Sequence, residues 1–145
     1  PEMAGRAVLL AGANFGSGSS REHAAWALQA FGIKAVLAPL FADIFRNNAL
    51  KNGLLPVELP ADVHAELAAA TDADPDAEVT VDLEAETVAL PGGRVVGFRV
   101  DPFARQMLLD GTDELGYLLS QGAAVAAYED VHPSRVDTTA PAWGG

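Results

Sequence analysis

The sequence predicts an α/β domain with a parallel βαβ core and an added antiparallel strand segment, and three observations carry this. Short apolar runs alternate with stretches of helical spacing as far as Ala70. A glycine-rich loop joins the first run to the first helical stretch. From Val79 onward, β-type runs follow one another across turn residues with no helix between them.

The first run is Ala7-Val8-Leu9-Leu10-Ala11, halted by Gly12, and it reads as a buried strand. Ala13 to Ser20 is rich in Gly, Ser and Asn and reads as a loop. Between Arg21 and Phe31 the apolar residues Ala24, Trp26, Ala27, Leu28 and Phe31 recur at helical spacing, and Gly32 is placed to end the helix. Ala35 to Ala38 is a second strand, Leu40 to Leu50 a second helix ended near Asn52-Gly53, and Leu54 to Leu59 a third strand. This alternation implies parallel pairing.

Pro60 then introduces a helix over Ala61–Ala70, and the acidic stretch Thr71 to Asp76 reads as a loop. Val79 to Leu83, Thr87 to Leu90 and Val95 to Val100 form an antiparallel meander across Glu84-Ala85-Glu86 and Gly92-Gly93. Helices over Pro102–Asp110 and Asp113–Glu129 close the domain, expected to be single over residues 1–131. Residues 132–145, with prolines, threonines and two terminal glycines, read as a loosely ordered tail. Trp26, Phe31 and Phe45 are expected in the core.

Composition narrows the function. Half of the 145 residues are hydrophobic, enough for a domain with a real core. A net charge of -11, from 20 acidic against 9 basic residues, repels phosphate backbones and anionic lipid, so neither nucleic acid nor a membrane is an expected partner. There is no cysteine, hence no disulfide, no thiolate nucleophile and no thiolate ligand for an iron–sulfur cluster. Pro1-Glu2-Met3-Ala4 lacks the regions of a secretory signal and no apolar run approaches bilayer length, so a cytoplasmic location is expected. A chain that opens on Pro1 rather than Met is expected to be processed or trimmed. Asn52 to Gly93 holds ten acidic residues and no Lys or Arg, and a solvated face is favoured there over a docking face for a basic partner.

The chemistry concentrates in Gly16-Ser17-Gly18-Ser19-Ser20-Arg21-Glu22-His23, between the first strand and the first helix. Unpaired N–H groups and the helix dipole favour an anion at such a junction, and glycine lets the backbone approach it closely. The residue three after Ser20 is His23 rather than Glu or Gln, so simple capping by Ser19 or Ser20 is expected. The better-known glycine motifs fail: Arg21 stands where a dinucleotide fingerprint needs its third Gly, no Gly-Lys-Ser/Thr follows, and Gly-x-Ser-x-Gly cannot be placed. His23, His64 and His132 lie too far apart in sequence for a local metal pair. Two hydroxyls, one arginine and a helix N-terminus remain, which suits a small carboxylate, since Arg holds carboxylates bidentately.

Asn14-Phe15-Gly16-Ser17-Gly18-Ser19-Ser20-Arg21-Glu22-His23-Ala24 closely resembles the signature of the aconitase-type swivelling domain, and Trp26-Ala27-Leu28 resembles its isopropylmalate isomerase small-subunit form. Phe41-Ala42-Asp43-Ile44-Phe45-Arg46-Asn47-Asn48, through Gly53-Leu54-Leu55-Pro56, resembles the same family at the expected distance. The resemblance is strong over residues 7–59 and looser to Glu129. It implies a compact β/β/α swivelling domain that caps a large subunit, with a [4Fe–4S] cluster held by that subunit's cysteines and no cofactor on this chain. The activity implied is dehydration and rehydration interconverting 2-isopropylmalate and 3-isopropylmalate in leucine biosynthesis, on a small dicarboxylic hydroxy acid. Carried over residue by residue, Ser19 is the catalytic base, Ser20 and Arg21 hold substrate carboxylate, and Asn14, Gly16 and Gly18 support the loop. Asn47 and Asn48 are expected to act structurally, and Glu22 and His23 are not assigned to catalysis. The family small subunit has several tens of residues before its first strand here, including an Asp-x-Asp segment that the resemblance does not find in this sequence. The alternatives are a homoaconitase-type small subunit, a non-catalytic carboxylate-binding module, and a trimmed domain that self-associates when isolated.

Overall fold

The computed structural model describes residues 6–18, 21–112 and 114–132. The chain divides into two compact units, Pro1–Asp113 and Glu114–Gly145.

In the first unit, β1 (Val8–Leu10), β2 (Ala35–Ala38) and β3 (Leu55–Glu58) pair in parallel, as the alternation predicts, and stand in the order β1-β2-β3. The central strand Ala-Val-Leu-Ala is buried at every position, because both faces of the sheet are covered. Pro56 is tolerated because β3 is an edge strand and needs no donor on its open side. Ala35 and Leu37 face a cluster with Leu55, Val57, Val63, Leu67, Val88 and Phe98, and Val36 and Ala38 face another with Ala25, Phe41, Phe45, Ala49 and Leu54. Period-two alternation along one strand thus divides the core between two layers.

On the second of these faces lie α1 (His23–Ala30) and α2 (Asp43–Lys51). Both end in the same way: Gly32 at φ 95° and Gly53 at φ 78° take the left-handed conformation, Gly32 N–H bonds Gln29 and Ile33 N–H bonds Leu28, and Gly53 and Leu54 N–H bond Leu50 and Ala49. These paired bonds are the Schellman closure expected of a glycine after the last turn. The helix α2 begins at Asp43 rather than Leu40, because Phe41 is extended and bridges in parallel to Phe15.

On the other face, α3 (Ala61–Ala73) runs past its expected end at Ala70. Thr71 stays helical because its hydroxyl donates back to the Leu67 and Ala68 carbonyls. The meander forms as predicted, β4 (Thr80–Asp82), β5 (Thr87–Ala89) and β6 (Val95–Gly97) in antiparallel order. Then comes α4 (Pro102–Asp110), with Pro102 in its first turn and the Asp101 carboxylate accepting from the N–H groups of Phe103 and Ala104.

The acidic stretch is a balanced surface rather than a bare one. Arg94 bridges Asp62 and Glu66, Arg6 meets Asp76 at 3.1 Å, Arg46 meets Glu58 at 3.8 Å, and Arg105 meets Glu86 at 3.3 Å. Among the described residues, half of its ten carboxylates are therefore paired with arginines from outside it. The hydrogen bond and charge of Glu66, then Asp62, hold the Arg94 guanidinium above its ordinary value. Pairs this exposed are screened by water, so their effect is on local charge more than on stability.

The second unit contains α5 (Glu114–Ser120) and α6 (Gly122–Val131), where one helix over Asp113–Glu129 was expected. The break is at Gln121, whose φ -88° and ψ 4° leave the helical region just before Gly122. Leu118, Leu119, Val125, Tyr128 and Val131 are exposed there. The tail assigned to residues 132–145 lies outside the described residues beyond His132.

Trp26 and Phe31 are corrections to the expected core: both are exposed, on α1 and at its C-cap, whereas Phe45 is buried as predicted. The Trp26 indole N–H donates to the Asn52 side-chain oxygen at 2.6 Å, which satisfies its polar edge at the surface. Asn52 also donates to the Asn48 carbonyl at 2.7 Å and accepts from Gln29 at its own carbonyl. This junction ties α1 to the end of α2.

Candidate functional site

The loop predicted to carry the chemistry leaves β1 at the carboxyl end of the parallel sheet and enters α1. In open α/β sheets this is the end where ligands bind, because loops diverge there and helix N-termini point into the gap. Ala11 is the last residue held by the sheet, its N–H bonding the Leu37 carbonyl at 2.8 Å. The next fixed point is Phe15, which bonds Leu40 through its N–H and Ala42 through its carbonyl. Its ring meets those of Phe41 and Phe45 edge-on, at 6.4 and 5.1 Å.

Asn14 to Ser17 make a tight turn, closed by the Ser17 N–H on the Asn14 carbonyl at 3.2 Å. The third position of the turn is Gly16, at φ 84°, the conformation a type II turn demands there. Any Cβ on Gly16 would overlap the Cβ and Cγ of Phe45, a residue only 2% exposed. Asn14 is itself at φ 58° and enters the turn through its backbone carbonyl. Gly18 has a different environment, with open space around it and no positive φ. Gly12, Ala13, Asn14, Ser17 and Gly18 are all exposed, so this face of the loop is open to solvent.

Ser19 and Ser20 lie outside the described residues. Arg21, just before the N-cap residue of α1, and His23, in its first turn, are exposed. The N-cap position is taken by Glu22, without a side-chain capping bond, where Ser19 or Ser20 was expected. Glu22 is already in the αR conformation and its carbonyl accepts from Ala25 and Trp26, so the first turn is wound from Arg21 and Glu22 onward. The His23 ring lies 4.9 Å from that of Trp26. Asn47 is exposed on α2, and the Asn48 carbonyl serves the Asn52 junction.

Two residues of this region escape sequence reading. Phe45 is legible as core, but not as the floor beneath Gly16. His64, on α3, places its ring Nε2 2.8 Å from the Ala11 carbonyl, a contact between residues 53 apart in sequence. No local signal marks it, because its partner is backbone on another element. Among the described residues, no three His, Asp or Glu side chains gather as a metal site. A cavity of about 620 Å³ opens at the opposite, amino end of the strands, lined by residues that include Val8, Ile33, Lys34, Leu55 and Val81, away from the loop.

Residues 2–62 match the family model described as the aconitase C-terminal domain, and residues 65–102 the one described as LeuD_N. The 3-isopropylmalate dehydratase small subunit of Roseiflexus sp. (strain RS-1) is 56% identical over 97% of this chain and 69% of its own length. That of Chloroflexus aggregans is 58% identical over 96% of this chain and 68% of its own. The crystal structure of 3-isopropylmalate dehydratase from Methanocaldococcus jannaschii, 32% identical, superposes with a TM-score of 0.62 over 83% of this chain and 68% of that one. With this fold, this loop and these relatives, the chain belongs to the 3-isopropylmalate dehydratase small-subunit family of aconitase-type proteins.

Proposed function

We propose that this chain is the small subunit of a hydro-lyase that interconverts 2-isopropylmalate and 3-isopropylmalate in leucine biosynthesis, working in the cytoplasm as a heterodimer with a large subunit. The observation that carries this is the loop Asn14–His23, set at the carboxyl end of the parallel sheet, in a chain 56% identical over 97% of its length to a named small subunit. Its open, exposed face supports a half-site that a second chain completes. These 145 residues contain no cysteine and so offer no thiolate to a [4Fe–4S] cluster, and such a cluster is assigned in this proposal to the partner's cysteines. Bound there, such a cluster supplies Lewis-acid assistance to the departing hydroxyl.

The tasks proposed for this chain are proton transfer and carboxylate binding. Ser19, as its alkoxide, takes the proton from the carbon α to a substrate carboxylate and becomes the neutral hydroxyl, and the α1 N-terminus and the Arg21 guanidinium stabilise the alkoxide before the transfer. Arg21 and Ser20 hold the carboxylate. Gly16, pressed onto Phe45, sets the turn that leads into them.

Mixed anaerobically with a cluster-loaded large subunit of the family, the chain is expected to convert isopropylmalate to its unsaturated intermediate, followed by ultraviolet absorbance, only when both chains are present. No turnover in a mixture where another family small subunit is active would reject the proposal for this chain. In the active complex, Arg21→Lys is expected to raise KM roughly tenfold or more while kcat changes less, because a point charge replaces a bidentate fork. An unchanged KM would remove Arg21 from carboxylate binding.

A further inference from the structure

We propose that His64 is a positioning residue for the substrate loop, a role that rests on the reading of that loop given above. His64 lies in the first turn of α3, which follows β3 at one edge of the parallel sheet, whereas Ala11 follows β1 at the other edge. The ring nonetheless places Nε2 2.8 Å from the Ala11 carbonyl, partly shielded from water. A carbonyl only accepts, so Nε2 carries the hydrogen and donates it.

The bond has a stiff base at both ends. On α3, Val63 and Leu67 flank His64 and are 1% exposed, locked into the core beneath the sheet. On the loop side, Ala11 is already held through its N–H to the Leu37 carbonyl at 2.8 Å. His64 takes up the remaining backbone group of the residue at which the chain leaves the sheet. Beyond it, Gly12, Ala13 and Asn14 are exposed and the next anchor is Phe15. The direction in which the backbone departs toward Arg21 is therefore set at Ala11 and Phe15, and His64 fixes the first of these from a different element. A loop so short converts a change at one anchor into displacement at its tip, and misplacement of about 1 Å costs as much as a hundredfold in rate.

The test uses the full chain with His64→Leu and His64→Gln, since glutamine carries an amide N–H at a similar reach from Cα. Amide hydrogen exchange of the ¹⁵N-labelled chain reads loop order without any need for turnover. The kinetics of the complex with the large subunit read its consequence. His64→Leu is expected to speed exchange at Ala11, Phe15 and Ser17 by about tenfold, leave Leu55 and Leu59 unchanged, and lower kcat/KM by about tenfold or more. His64→Gln is expected to restore both. Wild-type exchange in His64→Leu would overturn the proposal, as would wild-type turnover with accelerated exchange, or a glutamine variant as impaired as the leucine one. If the exchange results appear as expected but the wild-type complex does not turn over, the clamp is upheld and the functional reading of the loop fails instead.

Discussion

Ser19→Ala, in a complex of this chain with an active large subunit, is expected to lower kcat by roughly a hundredfold to ten-thousandfold, with a far smaller change in KM. The size follows from the role. A general base contributes only as the proton moves, so its loss raises the barrier and leaves ground-state binding largely intact. Ser20→Ala makes the contrast, since a hydroxyl that holds carboxylate acts on KM. Steady-state kinetics of the two variants side by side, with the single-turnover rate of intermediate formation, separate the roles. Near-normal kcat in Ser19→Ala would remove Ser19 as the base and direct attention to groups supplied by the partner.

Gly16→Ala is expected to destabilise the chain by about 2 to 5 kcal/mol, combining a left-handed backbone penalty of about 1 to 2 kcal/mol with an overpacking cost of about 1 to 3 kcal/mol. Both causes are visible in one residue: φ is 84°, and an added Cβ would overlap the Cβ and Cγ of Phe45 and lie 2.9 Å from Cδ2. Phe45 has nowhere to go. Its ring is stacked on Phe41 at 6.0 Å and met edge-on by Phe15 at 5.1 Å. Relief must come from the loop, so the variant is expected to lose turnover along with a drop in Tm on the order of 10 °C. Gly18→Ala, with open space around Cβ and no positive φ, is expected to unfold within about 0.5 kcal/mol of the parent. Calorimetry of the two variants checks this, and equal Tm values for Gly16→Ala and the parent would show that the loop does not rest on Phe45.

The layer architecture was legible in the amino-acid order because its signals are local. The apolar runs at Val8–Leu10, Ala35–Ala38 and Leu55–Glu58, separated by helical spacing, imply parallel strands whatever the rest of the chain does. Gly32 and Gly53 marked helix ends because only glycine takes the left-handed turn at no steric cost. The family signature placed the loop at once, and with it the proposed roles of Ser19, Ser20 and Arg21. Helix boundaries were less legible. Phe41 left α2 to pair with Phe15, and Thr71 extended α3 by bonding back to its own helix, outcomes set by competing hydrogen bonds that hydrophobic spacing does not record. Trp26 was misread as core because an apolar ring can sit at the surface when its N–H has a partner, here Asn52 on another helix.

By itself the sequence determined the α/β class, the parallel pairing implied by alternating strands and helices, the loop and the family. Tertiary structure alone decided why Gly16 must be glycine, through Phe45, and what holds Ala11, through His64. The physical reason is range. Propensity, periodicity and capping act within a few residues, whereas a steric floor 29 positions away and a hydrogen bond 53 positions away exist only once the sheet has brought its carboxyl ends together.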